Sequence, residues 1–537
     1  MALLAGMARI VAALIGYGLM GAATLATDAD SHPQALAITD PAVLRALDLE
    51  DGLAGTALRE GFGLRRVLAP MADSHAPLMN DELFRLPSMT GVRAALDRAF
   101  AHYVEQARAD RPGLTIGIGG GHDLQLFDRA VLASNHARFV LAGLVNRMDR
   151  AFVSPAACGE IRLIYRLTRI DDASGRPPER LPMTLNVVLD GVAAHANAAP
   201  DCAGLASRWL AIADQAGRGP ALLSKLASRD GPLVLVAPAN LNRIELNLQI
   251  GHVAGTASRD FRADYLMKVF RFDAARRAFV ESPLENQIDR ARLLADAGLA
   301  RDFREWLLRP DHLAAFDRGT VLIPLRFLAT SALAATPAGF GRSGRQPAFG
   351  LVAPAGDGGA AVFKPADVTA ALEEAARQGI VLGNIRSVAG FERRLNDITC
   401  AGCHQTRGIG GFHFPGVDWM RAAPSNETVV PASPHFVGDQ VRRRDILAAF
   451  GAGRPPDFSR GFSSRPQLRG NRELAGTSYS DGWGAHCYIL HPGNDNDPSF
   501  RSWTCAQGLA CQAVGRVRLD KERFGKERMG MCFVSSE

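Results

Sequence analysis

The sequence predicts an α+β protein: a mixed, antiparallel strand-rich body, then a small, mainly helical segment, then a disulfide-linked C-terminal tail. Three observations carry this prediction. Short apolar runs with interleaved polar residues recur between 139 and 250, separated by turns that contain Pro and Gly. Three- and four-residue apolar spacing takes over between 364 and 398. Of the 8 cysteines, Cys487, Cys505, Cys511 and Cys532 gather at the end of the chain.

A chain of 537 residues, 47% hydrophobic and 22% charged, has the composition of a cored protein and the length of several units. The expected divisions are a signal peptide at 1–26, a body at 27–330, a connecting region with one helix at 331–384, a motif-bearing segment at 385–450 and the cysteine-containing tail at 451–537. The net charge of +6 is mild for this size. A nucleic-acid surface needs basic residues gathered in a stripe, and only Arg442-Arg443-Arg444 clusters, read as the solvated start of a helix. No nucleic-acid partner is expected.

Taken in order, Arg9 precedes an apolar run over 10–25 that ends in Thr24-Leu25-Ala26, a small-residue pattern suited to signal peptidase. The run is short against the roughly 20 residues of a membrane span. A cleaved leader and a periplasmic or secreted protein without a transmembrane span follow, with an uncleaved anchor as the alternative. Residues 41–49 form a short helix opened by Pro41. Residues 90–107 form an amphipathic one, with Val92, Leu96, Phe100 and Tyr103 on one face. Gly119-Gly120-Gly121 before His122 fits neither phosphate-binding fingerprint and reads as a strand ending in a turn.

Strands are expected at 139–145, 161–167, 183–189, 233–236 and 244–250. The charges within 161–167 mark a half-exposed strand. Asp149 and Glu160 flank this region and would make an acid/base pair if their strands met across a cleft; salt bridges to Arg147, Arg150 or Arg162 account for them equally. The Asn240–Glu245 group reads as a turn, and residues 263–308 as helices or short strands closing the body. Residues 331–362, rich in Gly and small side chains, read as an extended connection. A helix follows over 364–378, with Pro365 at its start and Gly379 past its end.

Before Thr399-Cys400-Ala401-Gly402-Cys403-His404, the residues Ile385, Val388, Phe391, Leu395 and Ile398 place an apolar stripe on a helix at about 386–398. Cys-x-x-Cys-His is the attachment pattern for c-type haem: two thiols add to the vinyl groups and the imidazole binds iron. A zinc site wants a second Cys or His pair nearby, a redox dithiol wants a strand before the motif, and an ordinary disulfide leaves His404 unexplained. One covalent haem c is therefore expected, held by Cys400 and Cys403 with His404 proximal. His413 and His435 are the candidates for the sixth ligand, then Met420, with Met529 and Met531 further off and an open iron as the alternative.

In an oxidising compartment the six other cysteines should pair. Cys158 and Cys202 stand alone in the first half and are each other's partner; the last four allow three pairings. Trp483, Trp503 and Phe533 are expected to form a small core under those bridges. The run Asn494-Asp495-Asn496-Asp497 lacks the terminal glutamate of a calcium loop and reads as a polar turn.

The motif and the helix before it resemble the haem-attachment segment of c-type cytochromes, over about 385–450. Leu144-Val145-Asn146-Arg147-Met148-Asp149, Cys158-Gly159-Glu160 and Thr399 to Gln405 together resemble a group of uncharacterised exported bacterial proteins. These resemblances imply a haem protein whose role is one-electron transfer, meeting a redox partner protein or a small electron donor or acceptor. A haem peroxidase-like oxidoreductase with an open iron site, and an extracytoplasmic binding module with ancillary haem, are the other two expectations. The resemblance names no substrate.

Overall fold

The structure, a computed structural model, describes residues 36–50, 53–58, 60–69, 76–170, 177–192, 200–213, 219–253, 262–336, 346–354, 361–405, 420, 434–462, 485–490, 493, 496–513 and 529–534. The expected leader at 1–26, His413 and Trp483 lie outside the described residues, as do Asn494 and Asp495 of the polar run at 494–497.

The body is built on one ten-stranded sheet. Its strands are β1 (Ala37–Ile38), β2 (Ile116–Ile118), β3 (Leu124–Leu126), β4 (Ala137–Arg147), β5 (Glu160–Arg169), β6 (Glu179–Asp190), β7 (Leu241–Val253), β8 (Arg262–Asp273), β9 (Ala278–Ser282) and β10 (Ala332–Thr336). The five long strands β4 to β8 pair antiparallel in sequence order. β1 borders β4, β9 and β10 share the outer edge of β8, and β3 extends the β6 edge along the end of β7. Antiparallel neighbours need only short connections, which is why the turn-separated runs of the sequence were legible as a meander.

Side chains alternate across a strand, so the sheet has two distinct faces. On one, Leu163, Tyr165, Leu185, Val187, Leu246 and Leu248 form an apolar core. Among the helices that cover it are α1 (Pro41–Leu49), α2 (Thr90–Asp110) and α3 (Cys202–Ala213). Asp40 caps α1, its carboxylate accepting from the amides of Ala42 and Val43, while Pro41 loses no hydrogen bond at the first position. Val92, Leu96, Phe100 and Tyr103 of α2 are buried, and Trp209 of α3 is fully enclosed. Each such side chain contributes on the order of 1.5–3 kcal/mol by leaving water. The Cys158–Cys202 bridge ties the start of α3 to the turn before β5, as expected.

The other face carries Glu160, Arg162, Arg166, Thr184, Asn186, Arg243, Glu245 and Asn247, and all of these but the half-buried Arg166 are buried too. Strand β5 was expected to be half-exposed because of its charges; instead it is buried at nearly every position, since other parts of the chain cover the polar face.

A second core lies among α4 (Ala297–Leu307), α5 (Pro310–Arg318), α6 (Pro365–Arg377) and α7 (Val388–Asp397). Phe391 of α7 meets Phe316 at 5.4 Å and Phe363 at 5.0 Å between ring centroids. Gly379, just past α6, adopts φ +75°, the left-handed position expected of it. α8 (Cys400–Gln405), which holds the motif, and α9 (Pro434–Gly451) complete the helical part, and α9 packs along α3 with Leu447 in the sheet's apolar core. The tail forms a three-stranded antiparallel sheet from β11 (His486–Tyr488), β12 (Leu509–Gln512) and β13 (Met529–Val534). Its bridges are Cys487–Cys511 and Cys505–Cys532. No helix among the described residues is long and apolar enough to cross a membrane.

Several expectations change. Residues 233–236 are not a strand: Leu233–Leu235 is a 3-10 turn, its amides bonded three residues back and Pro232 and Pro238 at its borders. Within the expected turn at 240–245, only Asn240 belongs to one; β7 begins at Leu241. Residues 332–336 of the expected connection form β10, paired with β8. In the tail core Trp503 packs with Phe462, Tyr488 and Phe500, whereas Phe533 is half-buried outside it.

Candidate functional site

The Cys-x-x-Cys-His motif forms α8, set at a sharp turn from α7. Thr399 makes the turn: its hydroxyl donates to the Asn396 carbonyl at 2.7 Å and accepts from the Gly402 amide at 2.9 Å. A Cβ on Gly402 would stand 1.7 Å from the Asn396 oxygen, so only glycine allows α8 to fold back this closely. The Ala401 amide donates to Gln287 Oε1 at 3.0 Å, and the Ala401 side chain packs with Met267, Leu284, Ala332 and Ala334. α8 is thereby docked on the polar face of the sheet.

Cys400, Cys403 and His404 all line one cavity of about 160 Å³ between α7, α8 and that face. Neither cysteine is in a disulfide, whereas the other six pair among themselves. Burial pushes the Cys400 thiol well above its usual range, and the nearby carboxylates of Glu245 and Glu285 push it further. It is a neutral thiol whose hydrogen points at the Glu285 carbonyl, 3.5 Å away. The His404 ring is 5% exposed and lies 4.5 Å from the Tyr265 ring, with Nε2 3.5 Å from Asn247 Nδ2. That separation is at the outer limit of a hydrogen bond.

The wall of the cavity is ionic. Glu160, fully buried, receives Arg243 at 2.8 Å, Arg162 at 3.0 Å and Arg150 at 3.1 Å. Arg162 also reaches Glu245 at 3.0 Å, and Arg150 reaches Glu285 at 2.5 Å. Burial alone would raise the Glu160 carboxyl; the guanidiniums of Arg150, Arg243 and Arg162 outweigh it and hold it well below the usual carboxylate range. The same contest at Asp149, against Arg147, Arg443 and Arg442, ends the same way. Both carboxylates are held ionised as ion-pair partners, which removes the acid/base pair considered for them.

Arg442 and Arg443 are a second correction. They do not start a solvated helix; they are 2% and 3% exposed in the middle of α9. Arg442 donates to Asp149 at 2.8 Å and to Asp439 at 2.6 Å, and Arg443 to Asp439 at 2.7 Å. α9 is thus clamped to the turn after β4 by charge.

The apolar stripe of α7, expected to shield a porphyrin, faces the second core through Phe391 and Leu395. The side that lines the cavity carries Arg394 and Asp397 instead. Of the expected sixth ligands, His413 is outside the described residues, and His435 contributes described backbone only, in the first turn of α9. Met420 is a half-buried turn residue, and Met529 belongs to the tail core.

Asn247, Arg394 and Arg460 were not singled out from the sequence, and Arg243 and Glu245 were read only as part of a turn, yet all surround the motif. The usable signal was the alternation Arg243, Glu245, Asn247 within an apolar strand, which puts three polar groups on one face. The chain matches no protein-family model, no curated protein and no solved structure.

Proposed function

We propose that the chain is an exported protein carrying one covalent haem c, attached through Cys400 and Cys403 with His404 as proximal ligand, and that it serves one-electron transfer. One observation carries this reading: two thiols and an imidazole on one short helix open onto one cavity, in a chain whose six other cysteines pair. The export half of the reading draws on the apolar leader-like run and on three disulfides, which persist in oxidising compartments.

The donor set suits the group. Thioether attachment uses neutral sulfur, and a catalytic dithiol needs the opposite of what Cys400 has, a depressed thiol. Among the described residues the cluster of metal-ligand side chains is Cys487, Cys505 and Cys532, all committed to disulfides. Ligation at His404 Nε2 requires the imidazole to give up its long contact with Asn247, a small loss at 3.5 Å. When bound, a haem supplies a reversible one-electron couple at iron. The chain's own residues exclude water from that couple and surround it with buried guanidiniums. Those charges disfavour the more positive oxidised state and so favour a higher potential.

The test is expression with a cytochrome maturation system. A covalent haem that survives acid–acetone extraction, with a pyridine haemochrome spectrum that shifts when Cys400→Ala removes one thioether, is the expected result. A colourless protein with two titratable thiols at Cys400 and Cys403 overturns the proposal. The ferric spectrum then separates roles: low-spin and indifferent to cyanide for electron transfer, high-spin and cyanide-sensitive for an open iron.

A further inference from the structure

The guanidiniums around the cavity are not all neutralised. Arg150, Arg162 and Arg243 each have carboxylates at 2.5–3.1 Å. Arg394 does not. It is 2% exposed, and among the described residues it makes no ion pair: Nη1 donates to the Gly461 carbonyl at 2.8 Å, and Nη2 to the carbonyls of Asp317 at 2.6 Å and Arg460 at 3.3 Å. Its buried Nε has no acceptor. The Asp317 carboxylate is already taken by the backbone amides of Gly383, Asn384 and Ile385.

Arg460 brings a second guanidinium alongside. The point where a Cβ on Gly319 would stand is 3.3 Å from Arg460 Nε and 3.4 Å from Arg394 Nη1. Arg460 likewise makes no ion pair among the described residues, and both side chains line the same cavity as Cys400 and Cys403. Two cations held together out of water, with the Asp317 and Asp397 carboxylates acting only from beyond ion-pair distance, are costly: the effective penalty is several kcal/mol per ion. Burial and the neighbouring Arg460 lower the Arg394 guanidinium to about 10, against the opposing pull of Asp317 and Asp397.

We propose that the Arg394–Arg460 wall is a receptor for a carboxylate or another small oxyanion, held beside the two motif thiols. Arginine is the side chain whose planar fork matches such groups, and an anion here would satisfy Arg394 Nε and neutralise the pair together. This chemistry has two sources: a free anion from solution, or the propionate carboxylates of the haem proposed above. Only the second rests on that reading.

The experiment uses the full-length protein as expressed with the maturation system. Calorimetric titration with acetate, nitrate and sulfate at low ionic strength is compared between wild type, Arg460→Gln and a remote control, Arg85→Gln. Losing one charge-assisted contact of about 1.5–3 kcal/mol should weaken binding about 10- to 150-fold in Arg460→Gln and leave the control unchanged. That result establishes the free-anion source. If no free anion binds, but Arg460→Gln and Arg394→Lys shift the haem midpoint potential and its pH dependence, the receptor holds propionate. Absence of both effects in folded variants overturns the proposal. A colourless protein that still binds anions through Arg460 would sink the haem reading alone; a colourless protein that binds none sinks both.

Discussion

Replacing Glu160 by Gln keeps the shape of the side chain and removes the one charge that three arginines share. Each of its ion pairs, at 2.8–3.1 Å between heavy atoms and so with charge centres about 4 Å apart, is worth about 4 kcal/mol at an effective dielectric near 20. Against three of them stands a desolvation penalty of several kcal/mol for the carboxylate. The pairs win, as the depressed Glu160 carboxyl shows. In Glu160→Gln the arginines stay buried and crowd onto Glu245 and Glu285, so the expected loss is about 3–5 kcal/mol. Urea unfolding followed by far-UV circular dichroism measures it. A group whose folded carboxyl is depressed adds stability above its unfolded pKa, about 4.3, and loses that contribution as pH falls toward the folded value. The gap between wild type and variant should be constant from about pH 8 to pH 5 and close only in stronger acid. A loss under about 1 kcal/mol at neutral pH, or a gap that widens in acid, would refute the reasoning.

Arg442→Gln should cost about 3–5 kcal/mol by leaving Asp149 and Asp439 short of a partner, and a double-mutant cycle with Asp149→Asn should return a coupling well above 0.5 kcal/mol; additive losses would dissolve the proposed clamp. Gly402→Ala forces a Cβ against the Asn396 carbonyl, so α8 must shift, and covalent haem yield should fall sharply while the tail bridges still form, as mapped by mass spectrometry. Removing the Cys158–Cys202 bridge, which spans a sequence separation of 44, should lower stability by about 4 kcal/mol in the chain-entropy picture. An unchanged denaturation midpoint in the Cys158→Ala, Cys202→Ala double variant would contradict it.

What the sequence announced was local. Asp40 with Pro41, the apolar spacing of Val92, Leu96 and Phe100, and Pro365 with Gly379 each define a helix from neighbouring residues, and each helix is where that logic puts it. Cys158 and Cys202 were legible because no other partner stood near in the chain. What sequence misjudged was whether a charge meets water. Arg162 looked like the outer face of a strand and Arg442 like a helix surface, because their partners, Glu245 and Asp149, lie 83 and 293 residues away. Leu233–Leu235 failed for a different reason, since an apolar run of that length has no periodicity to separate a turn from a strand. The motif itself was plain; that it sits on a charged sheet face, with Arg394 and Arg460 beside it, depends on contacts that spacing does not encode.

The clamp between Arg442 and Asp149 also bears on the order of assembly. A contact that closes 293 residues of chain meets its entropic cost before it returns anything, so pairings among β4 to β8, joined by shorter connections, come earlier. α9 is then a late-arriving bolt. Until it seats, Asp149 lacks one of its guanidinium partners and the apolar core of the sheet lacks Leu447. The longest-range ion pair is thereby the last part of the lattice to close.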